Sequence, residues 1–297
     1  MRSKDYGLLP GLTAKCSRED TLAMFSKVCF SRFFEFKVKE AAEKKLIKCP
    51  IYLSLGQESI SSALAVAFPN PAIFGQHRCH DLYLAYGGDP TALRDELLHR
   101  PTGCTSGMGG SASIHSPAIK MFGHDGFMGT QVPIAIGYAF GAGQRTLAVM
   151  GDASAEEDYV LAALGLASTK KAPVLFVCAD NNLSILTEKK VRRNWHMAEV
   201  ASAFKLRAVE ITDDPWLIMH QTRILSQELP AFMNIHTARA VWHAGTGCDG
   251  PPEWDRFSLI KEEVARLGLQ REAEDIEIET QDKISLLWAQ KLPGEQP

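Results

Sequence analysis

Residues 146–182, TLAVMGDASAEEDYVLAALGLASTKKAPVLFVCADNN, decide the fold. A short apolar run at Thr146–Met150 leads into a helical stretch at Glu157–Ser168, and a second apolar run follows at Pro173–Cys178. Brief apolar runs without alternation read as strands buried on both faces. Strand, helix and strand in about thirty residues make a βαβ unit, which requires a parallel sheet and a right-handed crossover. Working outward, Lys205–Ile211 and Ala231–Thr237 read as further strands around a helix at Pro215–Gln227. Toward the N-terminus, residues 18–47 form an amphipathic helix with Leu22, Met24, Phe25, Val28, Phe33 and Phe36 on its apolar face, and Pro50 stops it. A second helix follows Gly56 and runs to Phe68, before Pro69-Asn70-Pro71. The stretch 99–130, rich in Gly, Ser and His, reads as a long functional connection. The chain after Trp254 looks helical and highly charged. The expected class is α/β, a mostly parallel sheet flanked by helices on both faces. Its expected parts are an N-terminal helical arm (1–50), an α/β domain (51–253) and a C-terminal helical tail (254–297).

Composition narrows the partners. Thirty-two Lys and Arg stand against 35 Asp and Glu, a formal net charge of −3. No general attraction to nucleic acid or to an anionic membrane follows from that balance. Seven cysteines are scattered without a CxxC pair, so neither a zinc cage nor a disulfide framework is indicated. No apolar run reaches the roughly 18 residues of a membrane span, and the first residues lack a secretory apolar core. The expectation is a soluble cytoplasmic protein.

Two strand ends carry the chemistry. Gly151-Asp152-Ala153 follows the first strand of the βαβ unit, and Asp180-Asn181-Asn182 follows the second. Taken singly, each of these reads as a turn. Both lie at carboxyl ends of strands that are adjacent or separated by one strand, where open α/β sheets bind ligands. Asp152 brings a carboxylate oxygen and Asn181 an amide oxygen, hard donors suited to Mg²⁺, which completes its octahedron with phosphate and water.

GDA followed by NN, with Asp152 and Asn181 29 positions apart, resembles the GDG…NN signature of thiamine-diphosphate enzymes. GQES at 56–59, FGQHRCH at 74–80, GMGGSASIH at 107–115 and GFMGTQVPIAIGYAFG at 126–141 are similar to segments of the alpha subunits of 2-oxo acid dehydrogenase first components. The resemblance covers roughly residues 18–260 and implies the thiamine-diphosphate-binding fold. It implies Asp152, Asn181 and the main-chain carbonyl of Leu183 as Mg²⁺ ligands, with Asn182 the alternative and Thr187 aligning with a family threonine. Gln76, His77 and Arg78 fall on the cofactor-contacting stretch, Arg78 on the diphosphate, where a planar guanidinium fork suits phosphate oxygens. Gly126 and Met128 fall where the family approaches the aminopyrimidine ring. Gly151, Ala153, Ser154 and Arg239 complete the implied cofactor contacts. His243, and with it His80, are the implied catalytic residues, a histidine pKa being able to straddle neutrality.

The departures are Ala153 for the second glycine of GDG, Trp242 for a usual glycine and Ala244 for a frequent serine. Trp242 is expected to reshape the mouth of the site. Read without the family, GHDGFMG could pass for a dinucleotide loop, but no strand is expected before it and no acidic residue closes the unit.

The resemblance implies an alpha subunit that, with thiamine diphosphate and Mg²⁺, decarboxylates a 2-oxo acid and passes the acyl unit to an acceptor. The glutamate that thiamine catalysis needs belongs in this family to the beta subunit, so an α₂β₂ heterotetramer is implied. A lipoyl- or acyl-carrier protein is the implied acceptor of a dehydrogenase. Two rivals stay open, a carboligase, acyltransferase or split transketolase half of a specialised pathway, and a non-catalytic scaffold subunit.

Overall fold

The computed structural model describes residues 11–123, 126–248 and 255–289. The chain runs through α1 (Arg18–Glu43), α2 (Glu58–Ala67), β1 (Ala72–Phe74), α3 (His80–Ala85), α4 (Pro90–Leu97), β2 (Met121–Phe122), α5 (Gln131–Ala142) and β3 (Thr146–Gly151). It continues with α6 (Asp158–Lys170), β4 (Val174–Asp180), a hairpin of β5 (Leu183–Ser184) and β6 (Thr187–Glu188), and α7 (Lys189–Arg192). Then follow α8 (Met197–Ala203), β7 (Arg207–Thr212), α9 (Pro215–Leu225), β8 (Ala231–His236), α10 (Arg256–Arg266) and α11 (Gln270–Ala289). Six strands form one sheet in the order β2-β1-β3-β4-β8-β7, every neighbouring pair parallel.

Alternation along the strands divides the interior in two. Ile73, Leu147, Leu175, Val177 and Met233 point to the face covered by α1, α2, α9 and α11. Phe74, Ala148, Met150, Phe176 and Cys178 point to the face covered by α5, α6 and α8. The central strands are buried on both faces, which is why they read as unbroken apolar runs. α1 starts where Ser17 Oγ accepts a hydrogen bond from the Asp20 amide (3.0 Å), and Asp214 caps α9 the same way ahead of Pro215. α1 and α11 share the first of these cores, and Phe34 meets Trp288 edge-on at 5.7 Å.

Three elements differ from the sequence expectation. α1 ends at Glu43 rather than 47, because Lys45 turns the chain through positive φ. The connection 99–130 is built rather than open. The buried Glu96 carboxylate takes hydrogen bonds from the amides of Thr105 (2.7 Å), Gly107 (2.9 Å), Gly109 (2.7 Å) and Gly110 (2.9 Å), so the glycine-rich loop winds around an internal anion. A two-residue strand, β2, does precede GHDGFMG; it is the sheet's edge, and residues 124 and 125 of that stretch lie outside the described residues.

The chain leaves β1 toward β2 on one side, whereas β3 leads to β4 on the other. That reversal opens a crevice at the carboxyl ends of β1, β3 and β4.

Candidate active site

A cavity of about 380 Å³ occupies that crevice. β3 and β4 are adjacent, with Gly151 paired to Ala179, so Asp152 and Asn181 emerge side by side onto its wall. Gly151, Ala153 and Ser154 line it from the β3 end, Leu183 from the start of the hairpin. Asn182 takes positive φ (68°) and turns the chain between the other two, so Asn181 rather than Asn182 lines the cavity. Asn181 Oδ1 accepts the Leu183 amide (3.1 Å), which fixes its side chain.

The loop after β1 adds Gln76, His77 and Arg78 to the lining. Gln76 is a hub. Its Nε2 reaches Ser154 Oγ (2.7 Å) and Met128 Sδ (2.7 Å), and its Oε1 accepts from the Gly129 amide (3.2 Å) and Gln131 Nε2 (2.9 Å). Met128 is thereby held against the cavity; Gly126 lies outside it. Arg78 occupies the left-handed region at φ 40° and donates to the carbonyls of Leu53 (2.8 Å) and His243 (3.1 Å). A non-glycine residue held there is strained, and such strain collects at ligand sites.

The mouth carries a cluster of three rings. Tyr52 stands 4.3 Å from His77 and 5.3 Å from His243, centroid to centroid, and the two histidines are 5.6 Å apart. Burial lowers the His243 pKa from 6.5, and the nearby charges of Arg78 and Arg239 lower it further. The imidazole is therefore neutral near pH 7 rather than poised at its midpoint. Arg239 lines the cavity and donates to the Ile185 carbonyl (2.6 Å), tying the hairpin to the mouth.

Two residues singled out in the sequence lie away from the cavity lining. His80 does not reach the cavity. It is wholly buried, with Nδ1 3.0 Å from Glu35 Oε1 and Nε2 2.8 Å from Ser111 Oγ, which itself accepts the Tyr52 amide (2.8 Å). Glu35 Oε1 also accepts the Ser54 amide (3.0 Å), so this network fixes the segment bearing Tyr52 and Leu53. The structure thus places His80 behind the wall, held between Glu35 and Ser111 and away from the cavity lining. Trp242 is also absent from the cavity lining; it is 55% exposed and lies over Gly247, whose carbonyl accepts its amide (2.7 Å).

The sequence reading missed the cations facing the acids. Arg192, from α7, is paired with the buried Asp152 carboxylate and with Glu156 (2.6 Å), and Lys189 is paired with Asp180. Burial, and then the charge of Asp180, push the Asp152 pKa up to about 6 despite Arg192. Forty positions separate Arg192 from Asp152, and no motif marks it. Tyr52, Gln57 and Asp81 also line the cavity unforeseen, although Gln57 lies in the quoted GQES.

A parallel α/β sheet with an acid and an amide on adjacent strand ends, over a cavity at the switch point, defines an α/β scaffold of the ligand-binding kind. Comparison with known proteins makes this specific: the chain belongs to the dehydrogenase E1 component family, which it matches over residues 26–237. It is 33% identical over 188 residues to the pyruvate dehydrogenase E1 component subunit alpha of Zymomonas mobilis, covering 61% of this chain and 53% of that one. Identity to the mitochondrial pyruvate dehydrogenase E1 alpha subunit of Dictyostelium discoideum is 30% over 187 residues, covering 61% and 49%. The chain thus spans about half the length of the curated relatives it matches. A transketolase mutant from Pichia stipitis superposes with a TM-score of 0.54 at 15% identity, over 92% of this chain and 46% of that one, a likeness of fold.

Proposed function

We propose that this chain is the alpha subunit of a two-chain, thiamine-diphosphate- and Mg²⁺-dependent enzyme that decarboxylates a 2-oxo acid and passes the acyl unit to an acceptor. The observation that carries the reading is the convergence of Asp152, Asn181 and Leu183 on one cavity that Arg78 also lines. The donor set fits the ion. Asp152 already holds a cationic group, Arg192, and the neighbouring donors are neutral oxygens. Among the described residues no three His, Cys, Asp or Glu are grouped to hold a metal. An ion at Asp152 would therefore complete its shell with neutral oxygens and phosphate, as Mg²⁺ does.

When bound, thiamine diphosphate supplies the electron sink that lets the substrate carboxyl leave as CO₂. This chain's own residues bind and orient. Arg78 offers a guanidinium to the diphosphate, and Met128, braced by Gln76, supports the ring system. Neutral His243, set by Tyr52 and His77, can donate through one ring nitrogen and accept through the other, which suits it to hold or move a proton at the substrate.

A partner is supported by α5, next to Met128. Its outer face exposes Ile134 (53%) and Phe140 (46%), and a Cβ built on Gly137 or Gly141 meets nothing within 4 Å. We assign that face to a beta subunit supplying the glutamate, in an α₂β₂ assembly, with a lipoyl- or acyl-carrier protein as acceptor. Of the departures from the family pattern, Ala153 lines the cavity and Trp242 lies over Gly247, and assay with candidate aldehydes as acceptors separates the carboligase reading from the dehydrogenase one. The test is turnover of 2-oxo acids with thiamine diphosphate, Mg²⁺ and an artificial electron acceptor, with and without the co-expressed beta chain. Turnover by this chain alone would overturn the two-chain reading. Absence of thiamine diphosphate binding by the pair, read by calorimetry, would favour a scaffold. Among the described residues no helix is long and apolar enough to cross a membrane.

A further inference from the structure

Three cations from one turn of chain are spent on the acids at the strand ends. Arg192 pairs with Asp152 and Glu156, and Arg193 Nη1 reaches the Asp152 carbonyl (3.3 Å) and Glu156 (3.2 Å). Lys189 pairs with Asp180. The turn that bears them is continuous with the oxygen donors. Asn181 leads through Leu183 into the hairpin, Leu183 pairs with Glu188, and the Lys189 amide donates to the Asn182 carbonyl (2.8 Å). Arg192 is only 14% exposed and Asp152 2%, so the pair is shielded from solvent.

A divalent ion and a guanidinium on one buried carboxylate repel each other strongly, since little water lies between them to screen the charges. Both cannot hold Asp152 at full strength. We infer that Arg192 is a place-holder for the divalent cation at Asp152, displaced on loading, so that α7 and the hairpin move when the metal binds. The inference rests on the reading of Asp152 as a cation ligand. In the unloaded chain Arg192 keeps the buried acid neutralised, and the metal must displace it. The apparent affinity for metal is then lowered by the fraction of molecules in which the clamp is closed. A reporter is built in: Trp195 lies beside the clamp, with Arg193 Cζ 4.8 Å from its ring centroid.

The test is titration of the full chain with MgCl₂, alone and with inorganic pyrophosphate, read by calorimetry and by tryptophan fluorescence. A W195F variant assigns the signal. In the wild type, fluorescence should change in step with binding, and W195F should lose the change. If the clamp is closed in nine molecules of ten, Arg192→Gln binds Mg²⁺ about 10-fold more tightly. Arg192→Lys, which keeps the charge, stays near wild type and tests the same point should the glutamine variant fail to fold. Lys190→Gln removes an exposed charge from the same turn, 76% exposed and paired with Glu188, and should change affinity by less than about 2-fold. The place-holder is overturned if Arg192→Gln gains no more than Lys190→Gln, if Arg192→Lys binds as tightly as the glutamine variant, or if Mg²⁺ binds without a Trp195 response. Failure of the cofactor reading looks different: the wild type and Asp152→Asn then take up no Mg²⁺ with pyrophosphate, and both ideas fall together.

Discussion

At His80 both ring nitrogens are engaged, one by Glu35 and one by Ser111, and the side chain has no solvent exposure. Replacing it by phenylalanine strips a buried carboxylate of a partner. His80→Phe should cost about 3 kcal/mol in urea unfolding. The loss should be one of stability and ligand affinity, with no altered pH profile, since the ring touches no ligand. His243 is the contrasting case. Its pKa is held below 6.5 by burial and by the charges of Arg78 and Arg239, so the neutral form persists as pH falls through 6.5. The acid limb of kcat/KM for the two-chain enzyme should lie below pH 6.5, and His243→Gln should remove that limb along with most of the activity. Sequence alone could not separate the two histidines. Both fall where the resemblance implies catalytic residues, and only the packing of α1 over α3 shows that one of them faces inward.

Among the elements, the loop around Glu96 shows what a side chain can do for a glycine-rich segment. Burial raises the carboxyl pKa of Glu96, but hydrogen bonds from Thr105 and the amides of Gly107 and Gly110 outweigh it and hold the pKa below its ordinary value. The sign follows from linkage. The ionised form is favoured in the folded chain, so this stabilisation is present above the ordinary carboxylate range and fades as pH falls through the lower folded value. Glu96→Gln leaves amide donors facing an NH₂ group and should lower stability by about 2 kcal/mol at pH 7, with the gap to wild type closing in acid. Differential scanning fluorimetry across pH 3–8 would read both. β3 and β4 were legible because strands buried on both faces must be apolar throughout. β1 and β2, of three and two residues, carry too little pattern to read, and the sheet defines them. α5 is not legible as a helix, since Pro133, Gly137 and Gly141 depress helix propensity and packing on β1 and β3 overrides it.

For the whole molecule, the open question is the exposed face of α5. Ile134→Glu places a charge where a beta chain is proposed to sit, on a helix whose inner face is untouched. The isolated variant should unfold within about 0.5 kcal/mol of wild type. Co-purification with the beta chain should be lost, and with it turnover; a variant that still assembles would place the partner elsewhere. The layered plan of this chain was readable from one βαβ unit. The clamp at the cavity was not, because Arg192 and Asp152 meet only through the hairpin that folds one back on the other.

The ladder between β3 and β4 has a consequence for tolerance. Gly151 pairs with Ala179, and the two oxygen donors follow one and two residues further on. The points from which they spring are set by the backbone spacing of paired strands, about 4.8 Å, and not by how any helix is packed. Substitutions that loosen α5 or α6 will therefore carry both jaws of the grip together as one rigid piece. Drift elsewhere in the protein can change the shape of the pocket while the strand ends that carry the proposed ion ligands keep their spacing.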